Sequence, residues 1–489
     1  MSSTDQQPSH ESSVPRPFSK GVTLLCTVLL ALLGLFVLFL TAEGPRLDMF
    51  EQPMTLAARY FDRELEMADA SPDASAWNRR LQRFVFSSRA DVLDEAIREL
   101  DSTLQAHANG EFSATPAEAL RVEGRLVLVL AEADRRDALR TRLDTLAARG
   151  PEGAGLAALV RFAYGLSDEP PATEAAMEAA LVPLRAEAHP GPSWATDRLT
   201  SRVLRRLGNE QGARAAEERL LERGARTLTR AVWLSGSIVA FVLAGLALGA
   251  TRLRLRLPLL PRLSSGVSSA PWSAAEGYDM TVRSAIFGLG LVVLYLLFLG
   301  LLLSDSGQPF VTLIGALPLL HYLTRRVPAV HGTGLVELFG LRLEAPATAL
   351  LVTSLLLIAI EQAFGMGTNL LSQTRWYEGV VEDVVLGGPT TVVLFFIDAV
   401  ILAPVFEEIA CRGLLYTSLR TRFGPWTSAA VSAVLFTLPH MYSPLVALGL
   451  FLGAVASAVV YERTRSLLPC IIAHAVNNAL ALGALLVYR

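Results

Sequence analysis

The sequence predicts an all-α, polytopic membrane protein with about nine spans and a soluble, extracytoplasmic helical domain after the first span. Three observations support this fold class. First, 52% of the 489 residues are hydrophobic and only 18% are charged, and the mean hydropathy is +0.41, which is too apolar for an ordinary soluble protein. Second, long apolar runs recur along the chain. Third, one stretch after the first run is instead rich in Ala, Leu, Arg and Glu at helical spacing.

Composition also argues against some classes of function. The net charge is −3 and no long run of Lys or Arg occurs, so nothing favours nucleic-acid binding. The three cysteines, Cys26, Cys411 and Cys470, lie in or beside apolar runs, which argues against a disulfide-stapled domain. Cys411 adjoins Arg412 and could act as a nucleophile, but a cysteine in an apolar helix more often fills volume, and we interpret it in that way.

The first apolar run predicts a membrane anchor. Residues 1–20 form a predicted cytoplasmic tail, and Gly21 to Thr41 is long enough to cross a bilayer, which takes about 20 helical residues. The run exceeds the apolar core of a cleaved signal peptide, which is about 7 to 15 residues long. We therefore interpret residues 21–41 as a retained signal anchor, with a cleaved signal peptide as the alternative.

Residues 43–230 predict a soluble, all-helical domain. Apolar residues recur three and four apart, as in antiparallel helix pairs, between breaks rich in Pro and Gly. The stretch allows a tetratricopeptide-like stack that binds a protein partner. No clean repeat of about 34 residues is present, so a plain helical bundle is equally consistent with it.

Eight further apolar runs follow, four within residues 231–388 and four within residues 389–489. They are Ala231 to Ala250, Val282 to Leu303, Phe310 to Leu323, Ala347 to Phe364, Pro389 to Tyr416, Pro425 to His440, Pro444 to Tyr461 and Leu468 to Val487. Their ends are uncertain by several residues.

Arginines predict how these runs are oriented. Clusters of Arg follow the second, fourth, sixth and eighth runs, and they fall on the same side as Arg16 and Lys20 if the spans alternate. Positive charge collects on the cytoplasmic side of membrane proteins. We therefore expect a multi-pass protein of the cell membrane whose N-terminus is cytoplasmic. Its soluble helical domain and the acidic loop with Glu378, Glu382 and Asp383 would then be extracytoplasmic.

Three short motifs place ionisable and polar side chains inside the last four apolar runs. A charged side chain near the centre of a bilayer costs about 2.5 to 3.5 kcal/mol, so these groups predict one buried site. The motifs are Glu407-Glu408-x-x-x-Arg412, Phe436-x-x-x-His440 and His474-x-x-x-Asn478.

Helix geometry divides the first motif into two parts. Glu408 and Arg412 are four residues apart and share a helix face, so they are expected to form a charge pair. Glu407 points about 100° away and is the carboxylate left free to act on something else. A merely structural acid is the alternative for Glu407.

The residue types in the motifs suit the hydrolysis of a peptide bond. A carboxylate and a histidine can hold and deprotonate a water molecule, and a histidine and an asparagine can donate hydrogen bonds to an oxygen that gains charge. Glu407, His440 and His474 could instead hold a zinc ion whose bound water is the nucleophile. The sequence has no His-Glu-x-x-His motif, so the metal cannot be inferred from spacing.

In this order, the three motifs resemble those of the CAAX protease and bacteriocin-processing family. These Abi-type intramembrane endopeptidases include the prenyl-protein endopeptidase that removes the last three residues of CAAX proteins. The resemblance covers the chain from about Pro389 to its C-terminus. Each motif alone is weak, but three in order on successive apolar runs are fairly specific.

The resemblance implies a role for each matching residue. Glu407 and His440 would activate the water, and His474 and Asn478 would stabilise the oxyanion. The residues that would support the site are Glu408, Arg412 and Phe436. The family has been described both as metalloproteases and as metal-independent glutamate proteases, so zinc stays open as a cofactor. The implied substrate is a membrane-associated protein or peptide, although the first anchor and the soluble domain are not part of the family's pattern.

Two other functions fit the same side chains. A non-catalytic immunity or scaffold protein could use the buried cluster for packing or binding. A proton-coupled transporter could use buried acids and histidines as a proton path. The second is disfavoured because no copy of the motifs occurs in another half of the chain.

Other polar residues in the apolar runs predict less. Asp398 could line an access path or lie at the outer interface, and Glu361 and Gln362 are expected at the outer interface rather than in the site. His321 is expected at the cytoplasmic interface.

The depth of the motif residues gives a geometric test. At about 1.5 Å per residue from the predicted cytoplasmic ends, His474 lies about 10 Å deep, Glu407 about 18 Å and His440 about 24 Å. These side chains meet only if helices tilt or Pro439 bends the chain.

Overall fold

The fold was analysed from a computed structural model that describes residues 18–43, 46–70, 88–185, 192–267, 269–300, 310–332, 334–371 and 375–489. Every regular element in these ranges is helical, and no strand occurs among them. The all-α class is therefore confirmed.

The chain divides into two compact units. The motif unit, which holds the three motifs, comprises Met1–Pro45, Ile238–Gly379 and Gly388–Leu482. The second unit comprises Arg46–Ser237, Val380–Gly387 and Gly483–Arg489. Its location outside the cytoplasm stays a prediction.

Consecutive helices of the second unit pack against one another in pairs, such as Arg89–Ala108 on Pro116–Glu132 and Arg136–Ala147 on Pro151–Ala163. The helices of this unit are Pro53–Ala70, Arg89–Ala108, Pro116–Glu132, Arg136–Ala147, Pro151–Ala163, Glu174–Leu181, Trp194–Arg206 and the first part of Glu210–Arg254. The tetratricopeptide-like stack stays a prediction.

Local sequence explains where several of these helices begin. Ser88, Thr115 and Ser193 each accept a hydrogen bond from the backbone amide three residues on, and the side chain there bonds back to the cap. These reciprocal capping boxes satisfy amides that have no partner within the helix. Gly150 has a backbone φ of 100° and lies between the preceding helix and the helix Pro151–Ala163. This positive φ favours glycine.

Buried ion pairs tie the second unit together. Asp69 accepts hydrogen bonds from Arg89 Nε at 2.7 Å, from Trp194 Nε1 at 2.7 Å and from Arg198. Burial alone would raise the pKa of Asp69, but Arg198 and Arg89 hold it below its ordinary value. Three donors from two other helices, Arg89–Ala108 and Trp194–Arg206, therefore converge on one carboxylate.

Six described helices are long and apolar enough to cross a membrane, by length and composition. They are Lys20–Phe39, Glu210–Arg254, Ala274–Phe298, Ala347–Thr368, Pro444–Thr464 and Leu468–Val487. They confirm a polytopic membrane protein.

The other three predicted spans are helical but short or interrupted. The helix Val311–His321 has 11 residues and Pro425–Thr437 has 13, fewer than the roughly 20 that a straight span needs. The run 389–420 alternates between α-helical and π-helical segments. About nine spans therefore stays a prediction.

Four helical segments of the motif unit position the motif side chains. We call the run 389–420 the first-motif helix, Pro425–Thr437 the second-motif helix and Leu468–Val487 the third-motif helix. The bridging helix, Pro444–Thr464, packs against the second-motif helix and against the helix Ala347–Leu371.

Candidate active site

A buried ion pair forms the base of the site. Arg412 Nη1 donates to Glu408 Oε1 at 2.9 Å, and the two side chains are only 3% and 2% exposed. Arg412 Nη2 also donates to the Ala454 carbonyl of the bridging helix at 3.1 Å. Its guanidinium lies 4.8 Å from the centre of the Phe436 ring, within the range of a cation–π contact. Arg412 thus joins three helices.

His474 lies between the two glutamates of the first motif. Its Nδ1 is 3.1 Å from Glu408 Oε1, and its Nε2 is 3.7 Å from Glu407 Oε2. A carboxylate paired with an arginine only accepts hydrogen bonds, so Nδ1 carries the proton in this contact. The Nε2 nitrogen is therefore the one that faces Glu407.

Glu407 differs from its neighbour in exposure. Its side chain is 37% exposed, whereas that of Glu408 is 2% exposed. The 3.7 Å separation from His474 exceeds a hydrogen bond and leaves both groups able to bind a further molecule. Glu407 is the accessible acid, and Glu408 is the buried one.

The second motif reaches the site through an aromatic ring. The Phe436 ring meets the His474 ring edge-on, with centroids 5.8 Å apart, and its centroid is 5.1 Å from that of His440. After the second-motif helix the chain turns through a 3₁₀ segment, Leu438–His440, and Met441 adopts a φ of 50°. His440 lies four residues after Phe436 and against its ring, as expected for residues four apart in a helical segment.

His440 has a defined orientation but no direct link to Glu407. Its Nδ1 lies 3.0 Å from the Phe436 carbonyl, which can only accept, so Nδ1 donates and Nε2 is the acceptor nitrogen. Among the described residues, no hydrogen bond or ion pair joins His440 to Glu407. The motifs meet through Glu407, Glu408, Arg412, Phe436 and His474, and the Phe436 ring also contacts the ring of His440.

Asn478 is held by an irregular part of the first-motif helix. Its Nδ2 donates to the Ala399 carbonyl at 2.7 Å. In the π-helical segment Ile397–Leu402, the backbone amide of Ala403 donates to the backbone carbonyl of Asp398 and not to that of Ala399. Pro404, the next residue, has no backbone N–H. The Ala399 carbonyl therefore receives from the Asn478 side chain the hydrogen bond that the helix backbone does not give it.

The arrangement was also tested for zinc. Among the residues that the structure describes, no group of three or more His, Cys, Asp or Glu side chains is gathered in a way that could hold a metal ion. Glu407, His440 and His474 are thus not gathered into a three-ligand set in this arrangement.

A polar cluster beside the site was missed by the sequence analysis. Gln362 Nε2 donates to Asn477 Oδ1 at 2.7 Å, and Asn477 Nδ2 donates to Glu361. The sequence predicted an interfacial place for Glu361 and Gln362 and gave Asn477 no role. The available signal was that an acid and two amides in apolar runs all need polar partners.

Two further side chains have packed positions. Asp398 accepts a hydrogen bond from Thr312 Oγ1 at 2.9 Å. Cys411 packs against the apolar cluster of Ala433, Phe436 and Ala454.

The segment that contains the three motifs matches a known family model. Residues 389–480 match a family model described as type II CAAX prenyl endopeptidase, Rce1-like. No significant match was found among curated proteins or among solved structures. All three motifs lie inside the matched segment. Over residues 389–480 the chain is therefore similar to the type II CAAX prenyl endopeptidases, and the resemblance predicted from the three motifs is confirmed.

Proposed function

We propose that this protein is an intramembrane endopeptidase that hydrolyses a peptide bond of a membrane-associated protein or peptide, using a water molecule that Glu407 activates. The observation that supports this most is the contrast between the two glutamates. The partly exposed Glu407 faces His474, whose other nitrogen is engaged by the buried Glu408–Arg412 pair.

In the proposed reaction, Glu407 takes a proton from a water molecule. The water oxygen attacks the carbonyl carbon, and His440 Nε2 accepts the second hydrogen bond of the same water. Glu407 then passes the proton to the leaving amide nitrogen as the carbon–nitrogen bond breaks. The products are a carboxylate and an amine.

Two groups would stabilise the oxyanion. The Asn478 amide has a second N–H beyond the one that it donates to Ala399. When His474 is protonated on both nitrogens, it can donate from Nε2 while Nδ1 stays on Glu408. Donors fixed in advance are the most effective form of such stabilisation.

The membrane orientation is part of the proposal. The arginine clusters support a cytoplasmic N-terminus and an extracytoplasmic second unit in the cell membrane. The paired helices of that unit support a role in recruiting a protein partner. Substrates would approach from within the bilayer or at its surface.

The direct test uses purified full-length protein in liposomes and an internally quenched, farnesylated peptide that ends in a CAAX sequence. Glu407→Gln keeps the shape of the side chain and removes the base, so the cleavage rate is expected to fall by about 10² to 10⁴-fold. Cys411→Ser is the matched control, because it removes a thiol next to Arg412 and is expected to leave the rate unchanged. Cleavage that survives Glu407→Gln would contradict the proposal and favour a non-catalytic role.

Natural substrates can be sought in parallel. Membrane proteomes of cells with wild-type protein and with Glu407→Ala are compared, and a precursor that stays uncleaved in the variant identifies the substrate. Metal analysis of the purified protein, together with activity after chelation, decides whether zinc takes part.

A further inference from the structure

Outside the three motifs, the carboxylate of Glu361 lies close to the residues of the site. Glu361 is on the helix Ala347–Leu371 and accepts hydrogen bonds from Asn477 Nδ2 and, at 3.2 Å, from Ser457 Oγ. Asn477 is on the third-motif helix and Ser457 is on the bridging helix. Glu361 therefore joins three helices, as Arg412 does.

Both ends of the Asn477 amide are held. Its Nδ2 donates to Glu361 and its Oδ1 accepts from Gln362 Nε2 at 2.7 Å. Since Glu361 and Gln362 are adjacent on one helix, they form hydrogen bonds with both the nitrogen and the oxygen of one side-chain amide on the third-motif helix. This fixes the rotation of that helix more strongly than one bond would.

The bridging helix is held between Glu361 and Arg412. A Cβ atom at Gly453 would lie 3.3 Å from Glu361 Cγ, so glycine allows this close approach. The carbonyl of the next residue, Ala454, accepts from Arg412 Nη2. Buried contacts on either side of one turn therefore connect Glu361 to the base of the site.

The position of Asn477 connects this cluster to the chemistry. It lies three residues after His474 and directly before Asn478, within one turn of both. A small rotation of the third-motif helix would move His474 Nε2 away from Glu407 and Asn478 away from Ala399.

We propose that Glu361 is a positioning residue, which acts through Asn477 to set the rotation of the third-motif helix and so to keep His474 between Glu407 and Glu408. The inference rests on the proposed function, because its readout is cleavage. It adds to Glu407 and Glu408 a third carboxylate, on a helix that carries none of the three motifs.

The test measures kcat and KM of full-length protein in liposomes with the same farnesylated peptide. Glu361→Ala and Asn477→Ala are each expected to lower kcat by about 10-fold or more, since a misplacement of about 1 Å can cost 10²-fold. KM is expected to change by less than about twofold. The double variant is expected to be no slower than the slower single variant, because both changes remove the same hydrogen bond, from Asn477 to Glu361.

Conservative replacement separates positioning from proton transfer. Glu361→Gln keeps an oxygen that can accept from Asn477, so it is expected to restore most of kcat and to leave the pH profile unchanged. Ser354→Ala is the matched control, since this buried serine on the same helix bonds only to the Leu350 carbonyl, and it is expected to match wild type.

Each failure has a distinct pattern. Full activity in Glu361→Ala, with activity lost in Glu407→Gln, would overturn this inference alone. A Glu361→Gln variant as slow as Glu361→Ala would also overturn it, because the charge rather than the hydrogen bond would then matter. Cleavage retained in Glu407→Gln would overturn the proposed function and this inference with it.

Discussion

Two buried carboxylates, Asp69 in the second unit and Glu408 in the motif unit, are satisfied to different degrees. In the second unit, Asp69 receives donors from Arg89, Trp194 and Arg198. In the motif unit, Glu408 accepts from Arg412 and His474 on one oxygen, while its other oxygen has no partner among the described residues. A carboxylate whose hydrogen bonds are all made, such as Asp69, stabilises the fold. Glu408 can still accept a hydrogen bond, and beside the accessible Glu407 this allows a substrate or a water molecule to bind.

The largest effect should come from breaking the ion pair of the motif unit. Arg412→Ala leaves Glu408 buried without its arginine, and this is expected to destabilise the folded protein by about 3 to 5 kcal/mol. Thermal unfolding in detergent measures the change. Arg422→Ala, at an exposed arginine, is the control and should unfold as wild type does. If both variants unfold at the wild-type temperature, the pair does not hold the site together.

A smaller loss is expected in the second unit. Asp69→Ala removes one acceptor from three donors, but Arg89 keeps Glu132 at 2.8 Å and Arg198 keeps Glu217 at 3.9 Å. We expect about 2 to 3 kcal/mol of destabilisation. Denaturant unfolding of the full chain provides the measurement, with Asp168→Ala, whose side chain is fully exposed, as a control that should show no change. A loss larger than that of Arg412→Ala would reverse the comparison.

The next effect concerns the irregular part of the first-motif helix. Asn478→Ala leaves the Ala399 carbonyl without its donor, at a cost of about 1 to 2 kcal/mol. Pro404→Ala restores a backbone N–H nearby, so Asn478→Ala should cost less in that background. A double-mutant cycle of unfolding free energies measures the coupling. Equal costs in both backgrounds would show that Pro404 is not the reason for this contact.

The smallest effect is a pH dependence of the stability of the second unit. Burial raises the pKa of Glu64 to about 7, although Tyr488 donates a hydrogen bond to it. The folded state therefore holds this proton more tightly than the unfolded chain, whose Glu pKa is about 4.3. The resulting stability is complete below about pH 4.5 and is lost as the pH rises through 7.

Glu64→Gln should remove this dependence. The unfolding free energy of wild type, relative to that of the variant, is expected to fall by about 1 kcal/mol between pH 5 and pH 8, a value reduced for the partial exposure of the side chain. Denaturant unfolding at both pH values measures the difference. An unchanged difference would show that Glu64 titrates as a solvated acid.

Sequence alone was sufficient for the local geometry of the site. The four-residue spacing of Glu408 and Arg412 predicts their contact on any helix, and the adjacent Glu407 must then point elsewhere. The family resemblance and the all-α class follow from similarly local patterns. These features depend on periodicity within one segment.

Contacts between helices could not be predicted in the same way. The bond from Asn477 to Glu361 depends on the rotation and crossing of two helices, which no spacing within either helix reveals. The approach of the Phe436 ring to the His474 ring likewise depends on how the second-motif and third-motif helices pack. Pro404 is visible in the sequence, yet its consequence for Ala399 appears only once Asn478 is placed beside it.

The contact between His474 Nδ1 and Glu408 leaves only one of the two imidazole nitrogens free to exchange a proton. To exchange its tautomer, His474 would have to place a lone pair against a carboxylate oxygen, so only Nε2 can gain or lose a proton at low cost. Proton transfer to or from this ring therefore takes place at Nε2, on the side that faces Glu407. A reagent that modifies imidazole nitrogens should accordingly attach to His474 at a single atom, and a bound substrate should protect that atom.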